Sequence, residues 1–141
     1  MEFNIKQLPD VIHLLKEGAI EQGLPEVNVV KISNWLKENV DNPKVYIGVN
    51  KDVSAILILM KTPDLFSYKD MIRDLVFYST STGAGFRLLK EGQKWVNKWG
   101  KSVYEAYLTT SQSTEEVDDM LERFGMIKMG SQFKFNRAGE L

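Results

Sequence analysis

Seven consecutive residues, Thr80-Ser81-Thr82-Gly83-Ala84-Gly85-Phe86, lie between an apolar stretch and an amphipathic one, and their types suit the binding of a diphosphate. The first amide N–H groups of a helix have no intrahelical partner and carry the positive end of its dipole. Glycine lets that backbone close on a phosphate without a Cβ in the way, and Ser and Thr hydroxyls add donors. The same glycines also suit a plain strand-to-helix turn that needs positive φ. Two nucleotide motifs do not fit. A dinucleotide fingerprint wants a third glycine at position 88, which is Leu88, and a strand that opens a parallel series. Gly100-Lys101-Ser102 resembles the end of a phosphate-binding P-loop, but it follows a helical stretch and position 95 is Trp95.

Other chemistry is restricted by composition. Cysteine is absent, which excludes disulfides, thiolate zinc sites and a cysteine nucleophile. His13 is the only histidine and sits among charged residues on a helical stretch, so it reads as a surface side chain and gives no basis for a metal site. Trp95 and Trp99 are four residues apart on one helical face and read as core. Glu115, Glu116, Asp118 and Asp119 read as a charged helix start. Lys and Arg (18) balance Asp and Glu (19), so nothing in the net charge calls for nucleic acid. The apolar run from 55 to 60 is far short of the roughly 20 residues that span a bilayer, and the first residues lack a secretory pattern. The expectation is a cytoplasmic chain that forms one domain over residues 1–141.

The elements that must position the loop follow from periodicity. A short opening strand is expected at 3–7, then a helix bearing Val11, Leu14, Leu15 and Ala19 up to Gly23. Asn28 caps a second helix with Val29, Ile32, Leu36 and Val40 on one face, stopped at Asn42-Pro43. Strands at 45–49 and 53–60 read as a hairpin, with a third partner at about 71–80, giving an antiparallel meander. Phe86, Leu89, Gly92, Trp95, Val96 and Trp99 form the apolar face of a helix ending near Gly100. A strand at 103–109, a helix bearing Val117, Met120, Leu121 and Phe124, and a last strand at 126–135 complete the order β-α-α-β-β-β-α-β-α-β. The fold class is α/β (α+β), with a mixed, mostly antiparallel sheet and about four flanking helices.

That order, together with Thr80-x-x-Gly83-x-Gly85, Leu88-Leu89, the helix ending in Trp99-Gly100 and the segment Leu121-Glu122-Arg123-Phe124-Gly125-Met126, resembles the GNAT superfamily of acetyl-coenzyme A-dependent N-acetyltransferases. The resemblance implies that Thr80, Ser81, Thr82, Gly83, Ala84, Gly85 and Phe86 wrap the pyrophosphate of acetyl-CoA. It implies that backbone of the fourth strand at Val76, Phe77 and Tyr78 polarises the thioester carbonyl, and that Thr114 faces the pantetheine. The chain departs from the family pattern in three places. Thr80 stands where Arg or Gln is usual, Thr114 where Asn is common, and Leu121 where many relatives carry a Tyr that protonates the departing thiolate. Direct transfer to an amine also needs a base, and Asp74 and Glu105 are the candidates to test, although a strand carboxylate of this kind more commonly is simply solvated. The implied partners are acetyl-CoA and an amine acceptor, with no nucleic acid and no membrane, and the last strand could pair across a homodimer. The alternative is a catalytically silent domain of the same fold that binds coenzyme A or serves a structural role.

Overall fold

The computed structural model describes residues 2–24, 26–109, 115–129 and 135. Helix α1 (Leu8–Glu21) has Pro at its start, where a missing N–H costs nothing, and buries Val11, Leu14 and Gly18. Helix α2 (Val29–Asn39) is capped by Asn28, whose side-chain oxygen accepts the Lys31 amide at 3.0 Å. Strand β1 (Val45–Val49) is buried throughout, β2 (Ala55–Pro63) over its first five residues, and β3 (Asp70–Ser79) only at Ile72. Helix α3 (Thr82–Lys98), a 3-10 turn (Gly100–Ser102), β4 (Val103–Tyr107) and α4 (Glu115–Phe124) follow.

The sheet order is β1-β2-β3-β4. The first three strands are antiparallel neighbours, as the meander requires, and β4 lies parallel to β3 because α3 makes the crossover between them. Both faces of the sheet are covered. On one, Val45, Ile47, Val49, Ile56 and Ile58 pack against Val11, Leu14 and Leu36 from α1 and α2. On the other, Tyr46, Leu57, Leu59 and Ile72 meet Ala84, Leu88 and Leu89 of α3, with Met120, Leu121 and Phe124 of α4 beside them. Gly92 permits that second contact: a Cβ there would lie 2.8 Å from Leu57 Cδ2. Among the described residues, no helix is long and apolar enough to cross a membrane.

The structure corrects four sequence expectations. Residues 3–7 do not form a strand. Asn4 and Gln7 make a reciprocal capping box that turns residues 5–7 into a 3-10 helix, leaving only the Phe3 amide bonded to Ile47 O at 2.9 Å and a bridge between Glu2 and Gly48. The second strand of the hairpin starts at 55 because Asn50 folds the intervening turn about itself, accepting the amides of Ser54 and Ala55 at 2.9 Å each. Helix α3 begins at Thr82, so the Gly-rich segment is chiefly its first turn. Of the expected last strand, residues 126–129 are irregular. Gly125 (φ 101°) ends α4 with its own N–H on Glu122 O and the Met126 N–H on Leu121 O, a Schellman closure, and Lys128 holds Asp118 at 3.0 Å. Residues 130–134 lie outside the described residues.

Candidate active site

The first turn of α3 is an open helix end. Ser81 occupies the cap position in extended backbone but gives no side-chain cap, and the first intrahelical bond runs from Gly85 N to Ser81 O at 3.0 Å. The amides of Thr82, Gly83 and Ala84 therefore precede the hydrogen-bonded ladder of a 17-residue helix, where the dipole is positive. Ser79 Oγ is engaged with Ser81, accepting its amide at 3.1 Å and donating to its carbonyl oxygen. Thr80 is turned to the hairpin: its N–H and hydroxyl both donate to Ser54 O, at 2.8 and 3.0 Å. Thr80 thus braces the turn from behind.

The two glycines have different reasons. A Cβ on Gly85 would come within 3.2 Å of Ser79 Cβ and 3.5 Å of Phe77 Cζ, so this glycine lets α3 approach β3. Gly83 has neither a positive φ nor, among the described residues, a crowded Cβ position, since of these only Arg87 Nη2 comes within 4 Å, at 3.9 Å. Its bare surface faces outward, where an anion would approach. Ala84 is buried, and Phe86 is half-buried, edge-on to Phe124 at 5.6 Å. Arg87 is a residue that sequence reasoning missed. Its place one turn after Gly83 was the available signal, because residues four apart share a helix face.

Beside this turn the sheet opens. Pairing of β3 with β4 ends at Arg73 opposite Tyr107. Immediately afterwards β3 carries a bulge: Leu59 pairs with Asp74 and Ile58 with Val76, which leaves Leu75 without a partner on β2. The extra residue reverses the alternation of faces. Ile72 and Asp74 lie on the α3 side before it, whereas Phe77 and Ser79 lie there after it. Val76 and Tyr78 consequently join the α1 and α2 side, where the Tyr78 ring sits 3.0 Å from the Cβ position of Gly18. Burial and then the hydrogen bond to Glu21 push the Tyr78 hydroxyl up to about 12. The side chains of Val76, Phe77 and Tyr78 are packing groups, and their backbone edge beyond Arg73 has no β4 residue opposite.

The two carboxylates sit on opposite faces of the parting. Asp74 Oδ1 accepts the Thr109 amide at 2.8 Å and ties the chain leaving β4 back to β3. Burial holds its pKa above the usual carboxylate value, and the bonds from Thr109 and its own amide pull it partly back. Glu105 is exposed and accepts a hydrogen bond from the Tyr107 hydroxyl, which Glu105 raises to about 12 and so keeps protonated as a donor. The Arg73 guanidinium lies 5.5 Å from the Tyr107 ring centre. Thr114 falls outside the described residues.

A groove of about 1000 Å³ runs from the parting, at Tyr107, Leu108 and Thr109, along the second half of α3 to Gly100 and Val103, with Leu121 and Phe124 on its α4 side. The first-turn residues of α3 do not line it. The helix end, the parting and the groove thus follow one another along α3. The arrangement offers an anion cradle, a strand edge without a β4 partner beside it and a groove of mixed apolar and charged lining beyond.

No family model matches the sequence, and no curated protein matches it. Solved structures do. A "Putative acetyltransferase from Agrobacterium tumefaciens str. C58" superposes with a TM-score of 0.72 at 15% identity, covering 97% of this chain and 98% of that one. A "predicted acetyltransferase with acetyl-CoA" from Clostridium acetobutylicum gives 0.67 at 12% identity, with 96% and 94% covered. An acetyltransferase from Trypanosoma brucei gives 0.69 at 14% identity, with 97% of each chain covered. The chain therefore has, over nearly its whole length, the mixed α+β fold of structures named as acetyltransferases, which is the fold that its GNAT-like sequence features imply.

Proposed function

We propose that this chain binds acetyl-CoA and transfers its acetyl group to an amine. The observation that carries the reading is the open first turn of α3, with a bare, unstrained Gly83, placed beside the point where β3 and β4 part. The amides of Thr82, Gly83 and Ala84 would hold the pyrophosphate, with the Arg87 guanidinium supplying the positive charge that Thr80 does not. These residues fit the group: the cradle is open where a Cβ would otherwise stand. When bound, acetyl-CoA supplies an activated thioester acyl group.

The remaining roles belong to the chain. Along Val76, Phe77 and Tyr78 past the bulge, the backbone N–H groups that do not point at β2 face the gap and would donate to a carbonyl oxygen. Glu105 takes the ammonium proton of the acceptor, directly or through water, so that the neutral amine is the nucleophile. Tyr107 orients Glu105, and Asp74 fixes the width of the gap through Thr109. Leu121 offers no proton to a departing thiolate, and that one residue favours a second reading: a domain that binds coenzyme A without turnover.

Isothermal titration with acetyl-CoA and coenzyme A, on wild type and Gly83→Glu, tests the site. Saturable binding that the variant loses, with unchanged circular dichroism, supports it. No binding by folded wild type would exclude it. Binding without acetylation across a panel of small amines, peptides and lysine-bearing proteins would favour the non-catalytic reading, and an active wild type that Glu105→Gln slows by 10² or more would support the proton-acceptor role.

A further inference from the structure

Acetyl is a two-carbon group, and the space beyond the strand parting is far larger than it needs. The groove continues past Tyr107 and Leu108, away from the α3 N-terminus, for the remaining length of that helix. Ile72, Leu89, Val96, Leu108, Leu121 and Phe124 give it an apolar stretch, and the charged side chains of Arg73, Glu105, Asp118 and Lys128 also line it. Polar side chains, Gln93, Asn97 and Glu122, stand at its rim and are exposed. Its outer wall is residues 126–129, held against α4 by Lys128 on Asp118 at 3.0 Å, with Ile127 85% exposed. Leu121, half-buried, adds hydrocarbon to the α4 side of the groove.

From a groove that meets the strand parting at Tyr107, Leu108 and Thr109 we infer that the donor this site prefers is a coenzyme A thioester of a medium-length saturated acid, its hydrocarbon tail lying in the groove. The inference rests on the coenzyme A reading proposed above and extends it to the donor's acyl class. Each methylene moved from water to an apolar wall strengthens binding, so even partial burial of six extra carbons gives a preference of about tenfold or more.

The test compares coenzyme A, acetyl-CoA and octanoyl-CoA by isothermal titration on wild type, Ile127→Asp and Leu121→Trp. The expected result is that octanoyl-CoA binds wild type at least tenfold tighter than acetyl-CoA. Ile127→Asp, an exposed position whose change leaves folding intact, should lose most of that gain while keeping acetyl-CoA affinity within about twofold. Leu121→Trp should lose it by filling the channel. Equal affinity of wild type for acetyl- and octanoyl-CoA would overturn the inference and leave the coenzyme A reading standing. A gain that survives in both variants would also overturn it, by placing the tail elsewhere. Failure of all three ligands to bind would reject the coenzyme A reading itself.

Discussion

The two layers that cover the sheet are built to different standards. The α1 and α2 side is closed: Val11, Leu36 and Ile56 are at most 1% exposed, and the polar groups near it sit in caps and turns. The α3 and α4 side is looser. It holds the strand parting, the groove and two buried polar atoms without a partner among the described residues, Tyr46 Oη and Trp99 Nε1. The contrast separates tasks. One layer supplies the hydrophobic burial that holds the sheet, and the other leaves backbone and space free for a ligand.

The sharpest way to break this division is to damage the closed layer. Leu36→Ala removes a fully buried side chain from a site with little room to collapse, and it should cost about 3 kcal/mol in chemical denaturation. Coenzyme A affinity, measured where the variant is still folded, should change less than twofold. A large loss of affinity would mean that the layers are coupled.

The turn joining β1 to β2 connects the layers, so a lesion there should be felt in both. Asn50 is 9% exposed and bonds Ser54 Oγ at 2.7 Å besides the amides of Ser54 and Ala55. The Ser54 carbonyl in turn accepts the Thr80 N–H and hydroxyl behind the first turn of α3. Asn50→Ala should destabilise the fold by about 2 kcal/mol and weaken coenzyme A binding several-fold, a combination that Leu36→Ala should not show.

What was legible in the sequence divides along similar lines. Both α1 and α2, the Asn28 cap and the β1–β2 hairpin were legible because their signals are local: 3.6-residue periodicity, a capping side chain, a polar turn. The bulge at Leu75 was not, because it exists only relative to Leu59 and Ile58 on the neighbouring strand. Consequently the sequence located Val76, Phe77 and Tyr78 but not which face each would take. The glycine pair was legible as a pair, while the split between packing (Gly85) and access (Gly83) depends on Ser79 and Phe77, which only the folded chain brings near. The opening strand failed because Asn4 and Gln7 offered a local alternative that outcompeted pairing along β1.

A third test improves the looser layer. Tyr46 is 7% exposed, its hydroxyl has no partner among the described residues, and burial pushes it up to about 12. Tyr46→Phe keeps the ring against Trp95, 5.9 Å away, and removes the orphan hydroxyl. It should stabilise the fold by about 1 kcal/mol, read as an upward shift of the thermal midpoint. A destabilised variant would show that the hydroxyl is satisfied, for instance by a bound water.

The smallest effect should come from Asp74, and its sign depends on pH. A carboxyl whose folded-state pKa is raised above its unfolded value binds protons more readily in the fold. Relative to the protonated state, its stability contribution is therefore lost as pH rises through the folded value. Asp74→Asn removes that loss while keeping an oxygen for the Thr109 amide. The thermal midpoint of Asp74→Asn should lie slightly above that of wild type near pH 7, and the difference should vanish below about pH 3.5, where the wild-type carboxyl is protonated in both states. If the variant instead melts lower near pH 7, the charged bond to Thr109 outweighs the burial of the charge. Asp74 would then be holding the strands at their parting by its ionisation, and the gap would widen as the group is neutralised.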